Sequence, residues 1–135
     1  MTVRLDGEMD QVRALRDVVE STACLAGFRE PEAAEVVLAV HEAVANVLNH
    51  GYCGEGGPVT VRLLAEHGAL RILIVDASSP VPSEAICPRA WDDARPGGMG
   101  LPFMRKVMDV VEHRPRPGRG NVLHMLRRRR ESLEC

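Results

Sequence analysis

The sequence predicts an α+β fold, a two-layer α/β sandwich in which helices cover one face of a mixed, mostly antiparallel sheet. Three observations predict it. Two segments of helical periodicity fill residues 9–51; two β-rich runs follow at 59–75; and a further helical stretch at 101–108 leads into a second β-rich pair at 110–126. At 135 residues the chain is the size of one domain, and a domain of that length buries roughly two-thirds of the surface its unfolded chain exposes, so one core suffices. No internal repeat or second domain is visible, and 1–135 reads as a single unit.

The elements follow in order. Residues 2–5 form a short strand. From 9 to about 26, Met9, Val12, Leu15, Val18, Val19 and Ala23 recur at helical intervals. Pro31, followed by Glu32 and Glu35, opens a stronger helix that runs to Gly51, because proline suits a first turn and early carboxylates suit the positive end of the helix dipole. Gly54, Gly56, Gly57 and Pro58 then break the chain ahead of strands at 59–65 and 70–75, joined across His67-Gly68 as a hairpin. Residues 77–97 carry Pro80, Pro82, Pro88 and Pro96 with little periodicity, and a connection of that length predicts a functional lid. A helix at 101–108, strands at 110–114 and 122–126 around Pro117-Gly118-Arg119-Gly120, and a basic tail at 127–135 complete the chain.

Composition bounds the function. The chain is 45% hydrophobic and 27% charged, which excludes a disordered or fibrous protein. Aromatics make up only 3%, so the core is aliphatic and base-stacking surfaces are nearly excluded. A formal net charge of -2 supplies no field toward nucleic acid or membrane, and neither is an expected partner. Cys24, Cys53, Cys87 and Cys135 form no CxxC pair, and the N-terminal residues contain no apolar leader, which predicts reduced thiols in a cytoplasmic protein. No run approaches the apolar length of a membrane span.

On a helix over 31–51, Glu35, Glu42, Asn46 and Asn49 share one stripe, while Ala33, Val37, Val40, Val44 and Val47 fall opposite, against the core. Such a stripe is either a solvated face or a site. Two features favour a site: no Lys or Arg lies between Arg29 and Arg62, so the acids lack i, i+4 cationic partners, and two asparagines occupy a helix they form poorly. A carboxylate and an amide oxygen one turn apart direct a proton acceptor and a hard ligand to one point, which suits Mg²⁺ and an activated hydroxyl, the chemistry of phosphoryl transfer. The run His41-Glu42-Ala43-Val44-Ala45-Asn46-Val47-Leu48-Asn49-His50-Gly51-Tyr52 resembles the N-box of the anti-sigma-factor serine kinases of the GHKL superfamily. That resemblance implies the Bergerat ATP-binding fold, with Glu42 as general base, Asn46 as Mg²⁺ ligand, and Asn49, His50 and Gly51 in the wall of the nucleotide pocket.

The family next has an aspartate at a strand end, which accepts a hydrogen bond from the adenine amino group, and a glycine two residues later. Asp76 follows Ile72-Leu73-Ile74-Val75 in that place, although alone it reads equally as a turn residue. Ser78 stands at the glycine position and adds bulk where backbone approaches the base. Gly97-Gly98-Met99-Gly100-Leu101 ahead of a helix is by itself a flexible turn or an anion cradle, since glycines let N–H groups close on phosphates and a helix start favours anions. Its order after the lid is similar to the family's G2 box, and Pro102 fits the helix's first turn. Arg95 is expected to reach the terminal phosphate, as a matching arginine does in relatives, with an offset one residue longer. Asn121, after Gly120, stands where relatives often carry threonine on the last strand. Both departures touch the adenine end; the metal and transfer end is intact.

The resemblance spans 29–126 and implies an ATP- and Mg²⁺-dependent serine/threonine protein kinase. Such a kinase acts as an anti-sigma factor, phosphorylates an anti-anti-sigma (STAS-domain) partner, sequesters a sigma factor and forms a homodimer. The alternative is a regulatory binding module of the same fold with weak or no nucleotide binding, motivated by Ser78 and Asn121. A two-component histidine kinase is disfavoured, because no dimerisation helices or phospho-accepting histidine segment precede the domain. The arginines at 127–130 are read as a solvated terminus and not a nucleic-acid patch. His50 and Cys53 lack a second pair with zinc spacing, Arg105 is a surface residue, and Met99, Met104 and Met108 are core fillers.

Overall fold

The first helix, α1 (Met9–Leu25), buries Val12, Leu15, Val19 and Ala23 at intervals of three and four residues and turns Arg13, Arg16, Asp17 and Glu20 to solvent. Gly27 ends it in the left-handed region, with φ 97°: its N–H bonds to Cys24 O and the Phe28 N–H to Ala23 O, the paired bonds of a Schellman cap, and Phe28 is buried behind them. The second, α2 (Glu30–Asn46), has Pro31 in its first turn and buries Ala33, Val36, Val37, Ala39, Val40, Ala43 and Val44. Beyond Asn46 the helix widens into one π-helical turn, Val47–Gly51, closed by the Tyr52 N–H on Val47 O at 2.9 Å. Such turns are frequent at functional sites.

The computed structural model describes residues 1–7, 9–52, 56–66, 68–78, 100–117 and 120–129. Its strands are β1 (Thr2–Leu5), β2 (Val59–Glu66), β3 (Ala69–Asp76), β4 (Val110–Pro115) and β5 (Asn121–Arg128), with α3 (Gly100–Val107) ahead of β4. They form one sheet in the order β1-β2-β3-β5-β4. A mixed sheet is the sequence expectation; here all four pairings are antiparallel, because every neighbour pair either is a hairpin or runs opposite by the path of the chain. Strand alternation turns Val59, Val61, Leu63, Leu70, Ile72, Ile74 and Met125 onto one face, where α2 packs with α1 on one side and α3 on the other. Met104 and Met108 lie in this core and Arg105 is exposed, as expected. No helix among the described residues is long and apolar enough to cross a membrane. Among the same residues no cluster of His, Cys, Asp or Glu is able to hold a metal ion. Cys24 is free and exposed; Cys53, Cys87 and Cys135 lie outside the described residues.

Two expectations are corrected at the far end of β5. The basic tail does not begin at 127, since β5 continues through Arg128 and Arg127 points inward with 3% of its surface exposed. Its Nη1 donates to Val107 O at 2.7 Å, and its Nη2 lies 3.2 Å from Glu32 Oε2 and 3.4 Å from Glu35 Oε1. The acids at the start of α2 therefore do have a cationic partner, supplied across the sheet and not by an i, i+4 neighbour. A buried guanidinium stripped of its partners is costly, and so is the bare carbonyl it leaves. Arg127→Ala is expected to lower the unfolding free energy by about 2–4 kcal/mol. Arg127→Met, which keeps the apolar stem, is expected to lose less. Urea denaturation measures both, and an alanine variant as stable as the parent would remove the constraint assigned to this residue.

Candidate functional site

One end of the sandwich gathers the polar residues singled out in the sequence. Asn46, the last residue of α2, is 6% exposed, so it is not part of a solvated face, and its Nδ2 has no hydrogen-bond partner among the described residues. A buried amide donor left open in this way fits a polar ligand at the helix end. Glu42 lies one turn earlier on the same face and is half-buried. Asn49, on the π turn, is exposed. Glu35, at the other end of the stripe, is drawn away by Arg127 and takes no part.

Asp76 ends β3 at the same end of the sheet and is 5% exposed. Its Oδ1 accepts from the Ser78 N–H at 2.9 Å, the Ser78 hydroxyl at 2.5 Å and Asn121 Nδ2 at 3.3 Å. Asn121 faces it directly across the β3–β5 pair and donates to Ser78 Oγ at 3.1 Å as well. None of these bonds uses Oδ2, so the carboxylate keeps an oxygen for a ligand that brings a donor. Gly51 closes over the group: a Cβ there would stand 3.1 Å from Ser78 Oγ. The remaining carboxylate oxygen of Asp76 suits a ligand with a donor such as an exocyclic amino group.

Three supports of this end do not show in the sequence pattern. The Tyr52 hydroxyl donates to Pro58 O and accepts from the Ala77 N–H, both at 2.7 Å, so one side chain ties the π turn to the entry of β2 and the exit of β3. It is the chain's sole tyrosine, directly after the asparagine box, and a half-buried phenol needs partners for its hydroxyl; that was the available signal. Gly120, with φ 89°, brings backbone so close to Asp76 that a Cβ would collide with the Asp76 carbonyl oxygen. His113 faces inward from β4 opposite Leu123, with Nδ1 buried and unpartnered among the described residues. Burial lowers its pKa below the ordinary 6.5, and the opposing pull of the Asp76 charge is the smaller effect.

Gly100 opens α3, as the glycine-box expectation requires, and α3 runs from there toward the Arg127 end. Arg95, Gly97, Gly98 and Met99 lie outside the described residues, as do the side chains of His50 and Leu101. Of the expected lid at 77–97, only Ala77 and Ser78 are described.

The model of the histidine kinase-like ATPase domain matches residues 5–127. The chain belongs to the histidine kinase-like ATPase family. Its relatives there include the anti-sigma F factor of Pasteuria penetrans, 31% identical over 103 residues that cover 72% of this chain and 69% of that protein. The serine-protein kinase RsbW of Bacillus pumilus is 28% identical over 121 residues, 82% of this chain and 75% of that one. The serine/threonine-protein kinase BtrW of Bordetella bronchiseptica is 29% identical over 89 residues, 62% of each. Among solved structures, the histidine kinase domain of a blue-light-activated histidine kinase from Erythrobacter litoralis superposes with a TM-score of 0.56 at 14% identity, covering 92% of this chain and 64% of that one, which shows a shared fold.

Gly120→Ala is expected to destabilise by about 2 kcal/mol or more, because strain at positive φ adds to a collision. Gly68→Ala, also at positive φ but with open space around it, is expected to lose only about 1 kcal/mol. Equal losses in urea unfolding would remove the close approach assigned to Gly120. For His113 the unfolded chain binds its proton at a higher pH than the folded one, so stability falls as pH drops through about 6.5 and levels off below the folded pKa. The melting temperature is expected to fall between about pH 7.5 and about pH 5.5, and by less in His113→Gln; identical pH profiles would count against a buried neutral imidazole.

Proposed function

We propose that this chain is a cytoplasmic, ATP-dependent serine/threonine protein kinase that acts as an anti-sigma factor and phosphorylates an anti-anti-sigma (STAS-domain) protein. The observation that carries the reading is the buried Asp76 carboxylate, one oxygen of it unbonded, at the strand end against which the turn that continues the Glu42–Asn46 helix packs through Gly51 and Tyr52. The names of its relatives, anti-sigma F factor and serine-protein kinase, support it.

Asp76 receives the adenine amino group, and Gly51 and Ser78 wall the base. Gly97, Gly98, Met99, Gly100 and Leu101 close on the phosphates from the start of α3, where the helix dipole favours negative charge. Asn49 and His50 line the pocket, and Arg95 reaches the terminal phosphate. Mg²⁺, when bound, would neutralise phosphate charge, and the side-chain amide oxygen of Asn46 is the group that would hold it, leaving the amide nitrogen to donate to a phosphate oxygen. Glu42 takes the proton that the substrate's hydroxyl loses as its oxygen forms the new bond to the γ-phosphorus and ADP departs. The active form is a homodimer that sequesters a sigma factor and releases it by exchange of partners.

Calorimetric titration with ATP, with and without Mg²⁺, is expected to give Mg²⁺-dependent binding in the parent protein and its loss in Asn46→Ala. Glu42→Ala is expected to keep nucleotide while phosphate transfer to the cognate STAS protein falls by about 10²–10⁴. Light scattering on the same sample is expected to return twice the chain's mass. Absence of binding at millimolar ATP would put the non-catalytic regulatory module ahead. Undiminished transfer by Glu42→Ala would withdraw the base.

A further inference from the structure

The two residues that depart from the family's pattern at the base end are bonded to each other. Asp76, Ser78 and Asn121 are 5%, 5% and 4% exposed, a depth at which each polar atom needs a partner. The Ser78 hydroxyl gives its proton to Asp76 Oδ1, so its oxygen is left to accept, and Asn121 Nδ2 donates to it while also reaching Oδ1. The three side chains close a ring in which the direction of every bond is fixed. Turning the Asn121 amide over would set its oxygen against two acceptors, so the ring also decides that orientation. Neither departure alone makes sense of the geometry. Without Asn121 the Ser78 oxygen lacks its donor, and without the Ser78 hydroxyl Asp76 Oδ1 loses its shortest bond.

We infer that Ser78 and Asn121 form a coupled positioning pair that locks the Asp76 carboxylate, so that Oδ2 alone faces the base and the pocket selects an amino group over a carbonyl. The inference deepens the nucleotide-binding reading and rests on it. With Oδ1 filled by three donors from the chain, the carboxylate cannot rotate to relieve a mismatched base without breaking the ring. Adenine meets Oδ2 with a donor. Hypoxanthine, which carries a carbonyl at that position, meets it with an acceptor and leaves both atoms unpaired, a costly arrangement in a buried site.

The test is a double-mutant cycle read with two nucleotides. ATP and ITP dissociation constants are measured by calorimetry for the parent chain, Ser78→Ala, Asn121→Ala and the double variant, with thermal melts alongside. Each single substitution is expected to weaken ATP binding about tenfold, the loss of one charge-assisted hydrogen bond. ITP binding is expected to stay within about twofold, so the preference for ATP shrinks. The double variant is expected to lie within about threefold of the weaker single, because either substitution already opens the ring. Equal losses of ATP and ITP would mean a merely structural role, and additive losses would mean the two residues act separately; either overturns the inference. A parent protein that prefers ATP while the variants lose both nucleotides alike sinks this inference and leaves the kinase reading standing. A parent protein that binds neither nucleotide sinks both.

Discussion

The pairing of β3 with β5 is the constraint on which the rest of the molecule depends. Eight residue pairs, from Ala69 opposite Arg128 to Asp76 opposite Asn121, set the register at the centre of the sheet. A slip of β5 by one residue against β3 would turn Met125 and Arg127 to the open face and separate Asp76 from Asn121. Burial of the aliphatic side chains and assembly of the polar cluster are therefore the same event. Gly120 permits it, because the backbone must pass close to the Asp76 carbonyl just as β5 begins.

The second helix runs the length of this paired unit and is held at both ends by different means. Near its start Glu32 and Glu35 meet Arg127 at the far end of β5. At its finish the π turn brings Gly51 against Ser78, and Tyr52 stitches the backbone on either side. From Glu35 to Gly51 the helix advances 16 residues, roughly 24 Å, against roughly 20 Å for the six strand steps from Asn121 to Arg127. Arg127 also donates to the last carbonyl of α3, so one guanidinium sets where both helices that flank the site lie.

Much of the fold was legible from side-chain periodicity, because burial follows the alternation of strands and the three-and-four spacing of helices directly. The runs at 59–65 and 70–75 differ from β2 and β3 only at their ends, and the valine stripe of α2 packs where its spacing puts it. The site was legible in its parts: Asn46, Asp76, Ser78 and Asn121 were each singled out, and each lies at the polar end. What escaped depends on distance along the chain. Arginines in a row beside a chain end look solvated, and only acids 92 and 95 positions away reveal that Arg127 is buried. Ser78 and Asn121 look like two independent departures until strand register places them on one carboxylate. The π turn is invisible to periodicity because it ends the helix, so no later turn shows the phase shift that the extra residue would produce.

The strand order also bears on how the protein is made. β5 is the latest of the five strands in chain order, yet it lies between β3 and β4. As the chain emerges from the ribosome, β1, β2 and β3 can pair while β4 still has no neighbour, and one edge of β3, with its apolar side chains, stays open until β5 arrives. The nascent protein thus passes through a stage with an unsatisfied hydrophobic strand at its centre, the kind of species that chaperones capture.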